Sequence, residues 1–298
     1  VRTVYLGTSD FAASVLQRLA QSDHRPVLVI TRPDRPKGRG RKLQGPPVAD
    51  AARALAIDLH QPDDVNADGA RARIAAAEPD AVLVCAFGAL IKEPLLSDHE
   101  MLNVHPSLLP RWRGAAPVER AMMAGDDETG VAIMRMTAGL DSGPVGLLER
   151  APIEPRDTYG TLAPRLAALG GELMVRALDD PPPYVEQTED GVTYAEKIGP
   201  ADRTLDPART AQELDRIVRA LTPHIGARIA TGPDAMLGVV AARPAPADSA
   251  SGPAPGMLAG VDGRLLYGCA GGALELLEVQ PPGGRVMSAA DYTRGHPL

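Results

Sequence analysis

Short, wholly apolar runs recur through roughly the first 180 residues, each followed by a stretch with helical spacing. The alternation stops at Asp179-Asp180-Pro181-Pro182-Pro183. Residues 3–7 (TVYLG), 26–30 (PVLVI), 81–86 (AVLVCA) and 102–104 (LNV) read as strands, with a shorter one at 57–59. A run that is apolar at every position has no face to give to water, so it belongs in a parallel sheet covered on both sides. Between the runs, Phe11, Val15, Leu16 and Leu19 fall on one helical face, and Ser9 or Thr8 can cap that helix. Pro46 and Pro47 suit the first turn of a helix carrying Val48, Ala52 and Leu55. Residues 65–77 have weaker helical spacing, Pro117 opens a helix that Gly125 ends, and 162–178 is a long helix with a weak point at Gly170-Gly171. Residues 129–136 and 143–149 add two strands joined through TAGLD. The fold class this predicts is α/β, a doubly wound, mostly parallel, Rossmann-like sheet.

After the proline run the pattern changes. Residues 183–206 read as a linker with one extended piece at 192–195. Thr210 and Glu213 then form a capping box ahead of Leu214, Ile217, Val218 and Leu221. Short strands follow at 227–230, 236–241, 264–269 and 274–279, separated by glycine- and proline-rich turns. That spacing predicts a small, OB-like β-barrel as a C-terminal domain. The expected organisation is therefore a first domain over 1–182, a linker over 183–206 and a second domain over 207–298.

Composition removes several function classes. No apolar run approaches the roughly 20 residues of a membrane helix, and the opening VRTVYLGTSD lacks the apolar stretch of a signal peptide. Two cysteines make neither a disulfide framework nor a zinc cluster, and Cys85 reads as a small core residue. These features predict a cytoplasmic protein. Its net charge of −7 argues against indiscriminate coating of nucleic acid. Residues 32–42, RPDRPKGRGRK, are the exception, with six basic side chains and one acidic. Gly7 is not followed by G-x-G-x-x-G, Gly38-Arg39-Gly40 lacks a third glycine, and there is no Walker A string, so NAD, FAD and ATP are not expected.

Residues 101–117, MLNVHPSLLPRWRGAAP, begin as a strand and stop behaving as one. Pro106 and Pro110 cannot donate to a ladder. A polar strand end followed by a stiff loop is where an open α/β sheet places its ligand. Asn103 and His105 are two apart, so their side chains share a face. Asp141, between Gly139 and Gly143, can bring a carboxylate to the imidazole. A neutral donor, a group titrating near neutrality and an acid suit addition to a carbonyl carbon. Spacing alone leaves a second reading open, a structural histidine and asparagine satisfied at a strand end. No second His or Cys stands at ligand spacing, so no metal is expected.

The string Asn103-Val104-His105-Pro106-Ser107-Leu108-Leu109-Pro110, followed by Asp141 in GLDSG, resembles the folate-dependent formyltransferase family. The resemblance implies Asn103, His105 and Asp141 as catalytic residues, and Ser107, Leu108, Leu109 and Pro110 as part of the folate site. Phe87, Gly88 and Leu90, after the central strand, are either further lining of the pterin site or ordinary core. GTSDFAA at 7–13, the basic loop, RWRGAAPVERA at 111–121 and TYAEKI at 193–198 are similar to the branch of the family that formylates methionyl initiator tRNA. The similarity extends over essentially the whole chain. Pro106 fits that branch less well than the branch acting on a small ribonucleotide amine. The main resemblance implies 10-formyltetrahydrofolate as co-substrate, no metal, initiator tRNA as partner, a tRNA-docking C-terminal domain and a monomer. In that branch the basic loop enters the acceptor arm. Arg39 is then the reading residue, with Lys37, Arg41 and Lys42 on phosphates, and residues 111–113 lead toward the tRNA. Formylation of a small amine, a nucleotide or sugar nucleotide, and hydrolysis of formyltetrahydrofolate are the alternatives within the same chemistry.

Overall fold

A computed structural model of the chain describes residues 1–37, 42–232, 235–246 and 252–296. They form two compact units: Val1–Gly114 with Thr129–Pro152 and Ala163–Tyr194, and Ala115–Glu128 with Ile153–Leu162 and Ala195–Leu298. The units interleave along the chain.

Through Asp179 the elements are β1 (Thr3–Gly7), α1 (Asp10–Ala20), β2 (Leu28–Ile30), β3 (Arg35–Lys37), β4 (Lys42–Gln44), α2 (Pro47–Ala54), β5 (Asp58–His60), α3 (Asp68–Ala76), β6 (Ala81–Cys85), α4 (Leu95–Asp98), β7 (Met101–His105), β8 (Arg113–Gly114), α5 (Pro117–Ala124), β9 (Glu128–Arg135), β10 (Val145–Pro152) and α6 (Tyr159–Asp179). The sheet of the first unit has the order β10-β9-β7-β6-β1-β2-β5. β5, β2, β1, β6 and β7 run parallel, and β9 is antiparallel to β7. β1, β6 and β7 are buried at every residue, which is what their unbroken apolar or nearly apolar runs demand. Ser9 caps α1 by accepting from the Ala12 N–H, and Phe11, Val15, Leu16 and Leu19 form its buried face.

The basic loop is framed by a hairpin, with Arg35 opposite Gln44 and Pro36 opposite Leu43. Two local expectations are corrected. β2 starts at Leu28, after Pro26 and Val27. α6 runs through Gly170-Gly171 without a break. The two glycines serve close packing: a Cβ at Gly170 would lie 2.6 Å from Val104 Cγ1, and one at Gly171 2.8 Å from Arg18 Cβ.

The second unit contains β11 (Tyr194–Ala195) in part, then α7 (Ala211–Leu221), β12 (Ala227–Ala230), β13 (Met236–Pro244), β14 (Leu258–Val261), β15 (Arg264–Cys269), β16 (Gly272–Gln280), β17 (Met287–Ser288) and α8 (Ala289–Gly295). Its sheet has the order β12-β13-β16-β15-β14, with β17 on β16. The paired strands run antiparallel. The capping box of Thr210 and Glu213 is formed, and Leu214, Ile217, Val218 and Leu221 are buried with Leu237, Val239, Leu265 and Leu276. α5 belongs to this unit, where Arg120 makes a two-pronged bond to Asp202 at 2.7 and 3.1 Å. β14 and α8 have no counterpart in the sequence reading, because LAGV and AADYTRG are too short and too small-sided to show a period. No helix among the described residues is long and apolar enough to cross a membrane.

Candidate active site

β7 sits between β6 and β9, so its backbone groups are engaged on both edges. Asn103 faces Val84 of β6 and Met134 of β9, and His105 faces Ala132. This register fixes where the two polar side chains leave the sheet. Both are buried, His105 at 4% and Asn103 at 9% exposure. Burying an imidazole or an amide is costly unless it is bonded or held for use.

His105 is bonded. Its Nε2 lies 2.9 Å from the Trp112 carbonyl oxygen. A carbonyl only accepts, so Nε2 carries the proton and Nδ1 of the neutral ring is bare. Nδ1 faces Asp141 Oδ2 at 3.7 Å. That is too long for a hydrogen bond and right for an ion pair once Nδ1 gains a proton. The same carboxylate oxygen accepts from the Gly114 N–H at 2.8 Å. Residues 112–114 therefore hold both partners of the pair.

Asn103 differs. Among the described residues its side chain has no hydrogen-bond partner. An amide left unbonded on the strand face it shares with His105 is a donor in reserve.

The loop carrying Asp141 is strained. Asp141 has φ +44° and Trp112 has φ +64°, in the left-handed region. Aspartate visits that region more readily than tryptophan, and such residues persist where surrounding contacts over-determine them. Gly143 completes the turn, since a Cβ there would lie 2.0 Å from the Arg135 carbonyl oxygen.

The residues tied to folate by resemblance separate into two groups. Ser107 is fully buried, and its hydroxyl donates to the Arg111 carbonyl at 2.7 Å, closing the loop on itself. Leu109 is buried with Ala132 and Met134. Leu108 and Pro110 are half-buried. Phe87 packs in the core with Leu6 and Val84, whereas Leu90 is 72% exposed. Gly88 lies between them at φ +72°, and its carbonyl accepts from Arg32 Nη1 at 2.8 Å. The base of the hairpin is thereby tied to the end of β6. Of the residues assigned to tRNA, Arg39 and Arg41 fall outside the described residues, and Lys37 and Lys42 are the inner backbone ends of β3 and β4.

Within residues 111–113, expected to lead outward, Arg113 turns inward while Arg111 and Trp112 are half-buried. Arg113 is 4% exposed, and its Nε donates to Gln187 Oε1 at 3.0 Å. Arg111 lies over the Trp112 ring at 4.4 Å. Sequence reasoning missed Trp112, Gly114 and Gln187, two of which act through backbone atoms that leave no signature in residue type. Burial pushes the Cys85 thiol up to about 12 and raises Cys269 as well, so neither is poised as a thiolate. Among the described residues, no group of three His, Cys, Asp or Glu side chains is arranged to hold a metal ion.

Residues 1–178 match the family model for formyl transferase, and residues 197–297 match that for the formyl transferase C-terminal domain. The chain belongs to the formyl transferase family. Its relatives in this family include a methionyl-tRNA formyltransferase of Gluconobacter oxydans (strain 621H), 44% identical over 301 residues, spanning 100% of this chain and 98% of the relative. Another, from Halorhodospira halophila, is 42% identical over 100% of this chain and 97% of its own. The formyl transferase fold also appears in solved structures. A methionyl-tRNA formyltransferase from Clostridium thermocellum superimposes with a TM-score of 0.61 at 13% identity, covering 81% of this chain and 93% of that one. HypX from Aquifex aeolicus, solved in complex with tetrahydrofolic acid, gives 0.68 at 15% identity over 98% of this chain and 46% of its own.

Proposed function

We propose that this chain transfers the formyl group of 10-formyltetrahydrofolate to the amino group of methionyl initiator tRNA. The observation that carries the reading is the arrangement at the end of β7. A bare His105 Nδ1 stands 3.7 Å from a carboxylate fixed by the Gly114 N–H, and the unbonded Asn103 amide leaves the same face of β7 two residues earlier. The full-length relatives named methionyl-tRNA formyltransferase support the choice of acceptor.

The reaction needs a neutral amine, an oxyanion donor and a place for a proton. An α-amino group has a pKa of roughly 7.7–8.0, so a useful fraction is neutral at physiological pH. Attack on the formyl carbon puts negative charge on the formyl oxygen, and the Asn103 amide is the donor free to meet it. The attacking nitrogen then sheds a proton. His105 Nδ1 takes it, and the resulting imidazolium is stabilised by Asp141 on one side and by the Nε2–H bond to Trp112 on the other. The imidazolium gives this proton to the departing folate nitrogen as the carbon–nitrogen bond breaks, which returns His105 to the neutral form. The half-buried Leu108 and Pro110, with Gly88 and Leu90, lie on the loops that follow β7 and β6, where an open α/β sheet takes its ligand.

In this reading the first 182 residues carry the chemistry, residues 207–298 dock the tRNA, and Lys37, Arg39, Arg41 and Lys42 meet the acceptor arm. The protein works as a cytoplasmic monomer. The test is purified protein with formyl-labelled 10-formyltetrahydrofolate and methionyl initiator tRNA. Label recovered in formyl-methionyl-tRNA is the expected result. Label only in formate makes the chain a hydrolase, and label on an added sugar-nucleotide amine with none on tRNA makes it a small-amine formyltransferase.

A further inference from the structure

Gln187 lies in the stretch that the sequence presents as a linker, yet its side chain reaches the loop of the candidate catalytic acid. Its Nε2 is 2.9 Å from the Asp141 carbonyl oxygen and 2.8 Å from that of Gly143. Its Oε1 accepts from Arg113 Nε at 3.0 Å. An amide nitrogen has two hydrogens and both are used, and the amide oxygen meets a group that can only donate. Rotating the amide by half a turn would set oxygen against two carbonyl oxygens and NH2 against a guanidinium. The orientation is therefore over-determined. The two bonded carbonyls flank the Asp141–Gly143 turn, whose first residue sits at φ +44°.

Arg113 anchors the other side of this amide. It is 4% exposed, its Nη2 has no hydrogen-bond partner, and the nearest acid, the 88% exposed Glu189, is 3.9 Å away. It stands between two residues whose backbones touch the site. Trp112 accepts from His105 and Gly114 donates to Asp141. A closed circuit results: His105 to Trp112, along the chain to Arg113, across to Gln187, to the Asp141 turn, and back to Gly114.

We propose that Gln187 is a positioning residue that sets the separation of Asp141 from His105 by clamping the Asp141–Gly143 turn to Arg113. It never touches the reacting atoms. The inference rests on the formyl-transfer reading above.

The test is a double-mutant cycle in single-turnover formyl transfer to methionyl-tRNA, with melting measured in parallel. Gln187→Ala is expected to lower the rate about tenfold, in the range seen when a supporting hydrogen bond to a functional group is lost. The KM values for folate and tRNA should be unchanged. Placed on Asp141→Asn, the same change should cost less than twofold, because there is no longer a carboxylate to aim. Gln187→Glu keeps the volume and the contact with Arg113 but turns a donor into an acceptor, so it should be at least as slow as Gln187→Ala. It also carries the test if Gln187→Ala melts too low to assay. A wild-type rate in either variant, or a full tenfold loss repeated in the Asp141→Asn background, would overturn the proposal. A wild-type rate for Asp141→Asn itself would remove the catalytic role of Asp141 on which the clamp depends.

Discussion

Two arginine-bearing stretches, residues 32–42 and 111–113, have the same chemistry in sequence and opposite fates. In the first, Arg35 is exposed and Arg32 half-buried. In the second, Arg113 is buried to 4% exposure and spent on Gln187. Charge density does not tell them apart. What does is how each is anchored: Arg32 reaches one carbonyl, that of Gly88, whereas Thr193, distant in sequence, takes the backbone N–H groups of Trp112 and Arg113, which pins the segment, and Gln187 then meets the Arg113 guanidinium. Burying an arginine costs less where a built-in partner meets its guanidinium, as Gln187 meets Arg113 Nε, although Arg113 Nη2 is left without a hydrogen-bond partner.

This contrast can be broken most severely at the site that the buried stretch supports. Asn103→Ala and His105→Ala should each lower kcat for formyl transfer by on the order of 10² or more, with KM for tRNA and the melting temperature little changed. A loss confined to KM would put these residues with the substrate-holding side instead. The basic stretch should answer in the opposite way. Arg39→Ala is expected to raise KM for tRNA by about tenfold, the cost of one good Arg contact to a base, and to leave folate binding alone. Lys42→Ala should reduce the slope of log affinity against log salt by about 1. Unaltered tRNA kinetics in both variants would detach the basic loop from the substrate.

Arg120 and Asp202, in the second unit, are an intermediate case, with side chains 19% and 28% exposed. The Arg120 fork, helped by the Gly199 N–H, holds the Asp202 carboxyl below its usual value. A lowered carboxylate pKa stabilises the fold above the unfolded value of about 3.9, and the contribution is lost as pH falls through the lower folded value. Asp202→Asn should therefore cost about 1 kcal/mol in denaturant melts at pH 7, and the gap should close below pH ~4 as wild-type Asp202 protonates. A gap that persists at pH 2 would show that packing, not charge, is what the pair supplies. The smallest effect concerns the thiols. Cys85 and Cys269 should resist a thiol reagent in the native protein and react on unfolding; fast native labelling of either would contradict its burial.

The strands of the first sheet were legible because a run buried on both faces must be apolar throughout, as in β1 and β6. The Asn103–His105 pair was legible because polar residues two apart interrupt such a run at its end. The α7 cap was legible as Thr210 and Glu213 at fixed spacing. What stayed hidden depends on atoms that residue type does not announce. The Trp112 carbonyl and the Gly114 N–H are backbone groups, and the left-handed conformation at Asp141 is a property of its loop. Gln187 lies 46 residues from the turn that it holds, and nothing local marks it.

Gly170 has a consequence for how this sequence can vary. Val104, which it meets, is the residue between Asn103 and His105, on the other face of β7. A methyl group at 170 would press the strand from behind, at a contact already shorter than real Cβ atoms allow. In an exposed helix, alanine would be the more helix-favouring residue. Here the substitution should strengthen the helix and spoil the aim of two side chains on the far surface. In a saturation screen for activity, position 170 would then score with the catalytic residues, although glycine has no functional group to lose.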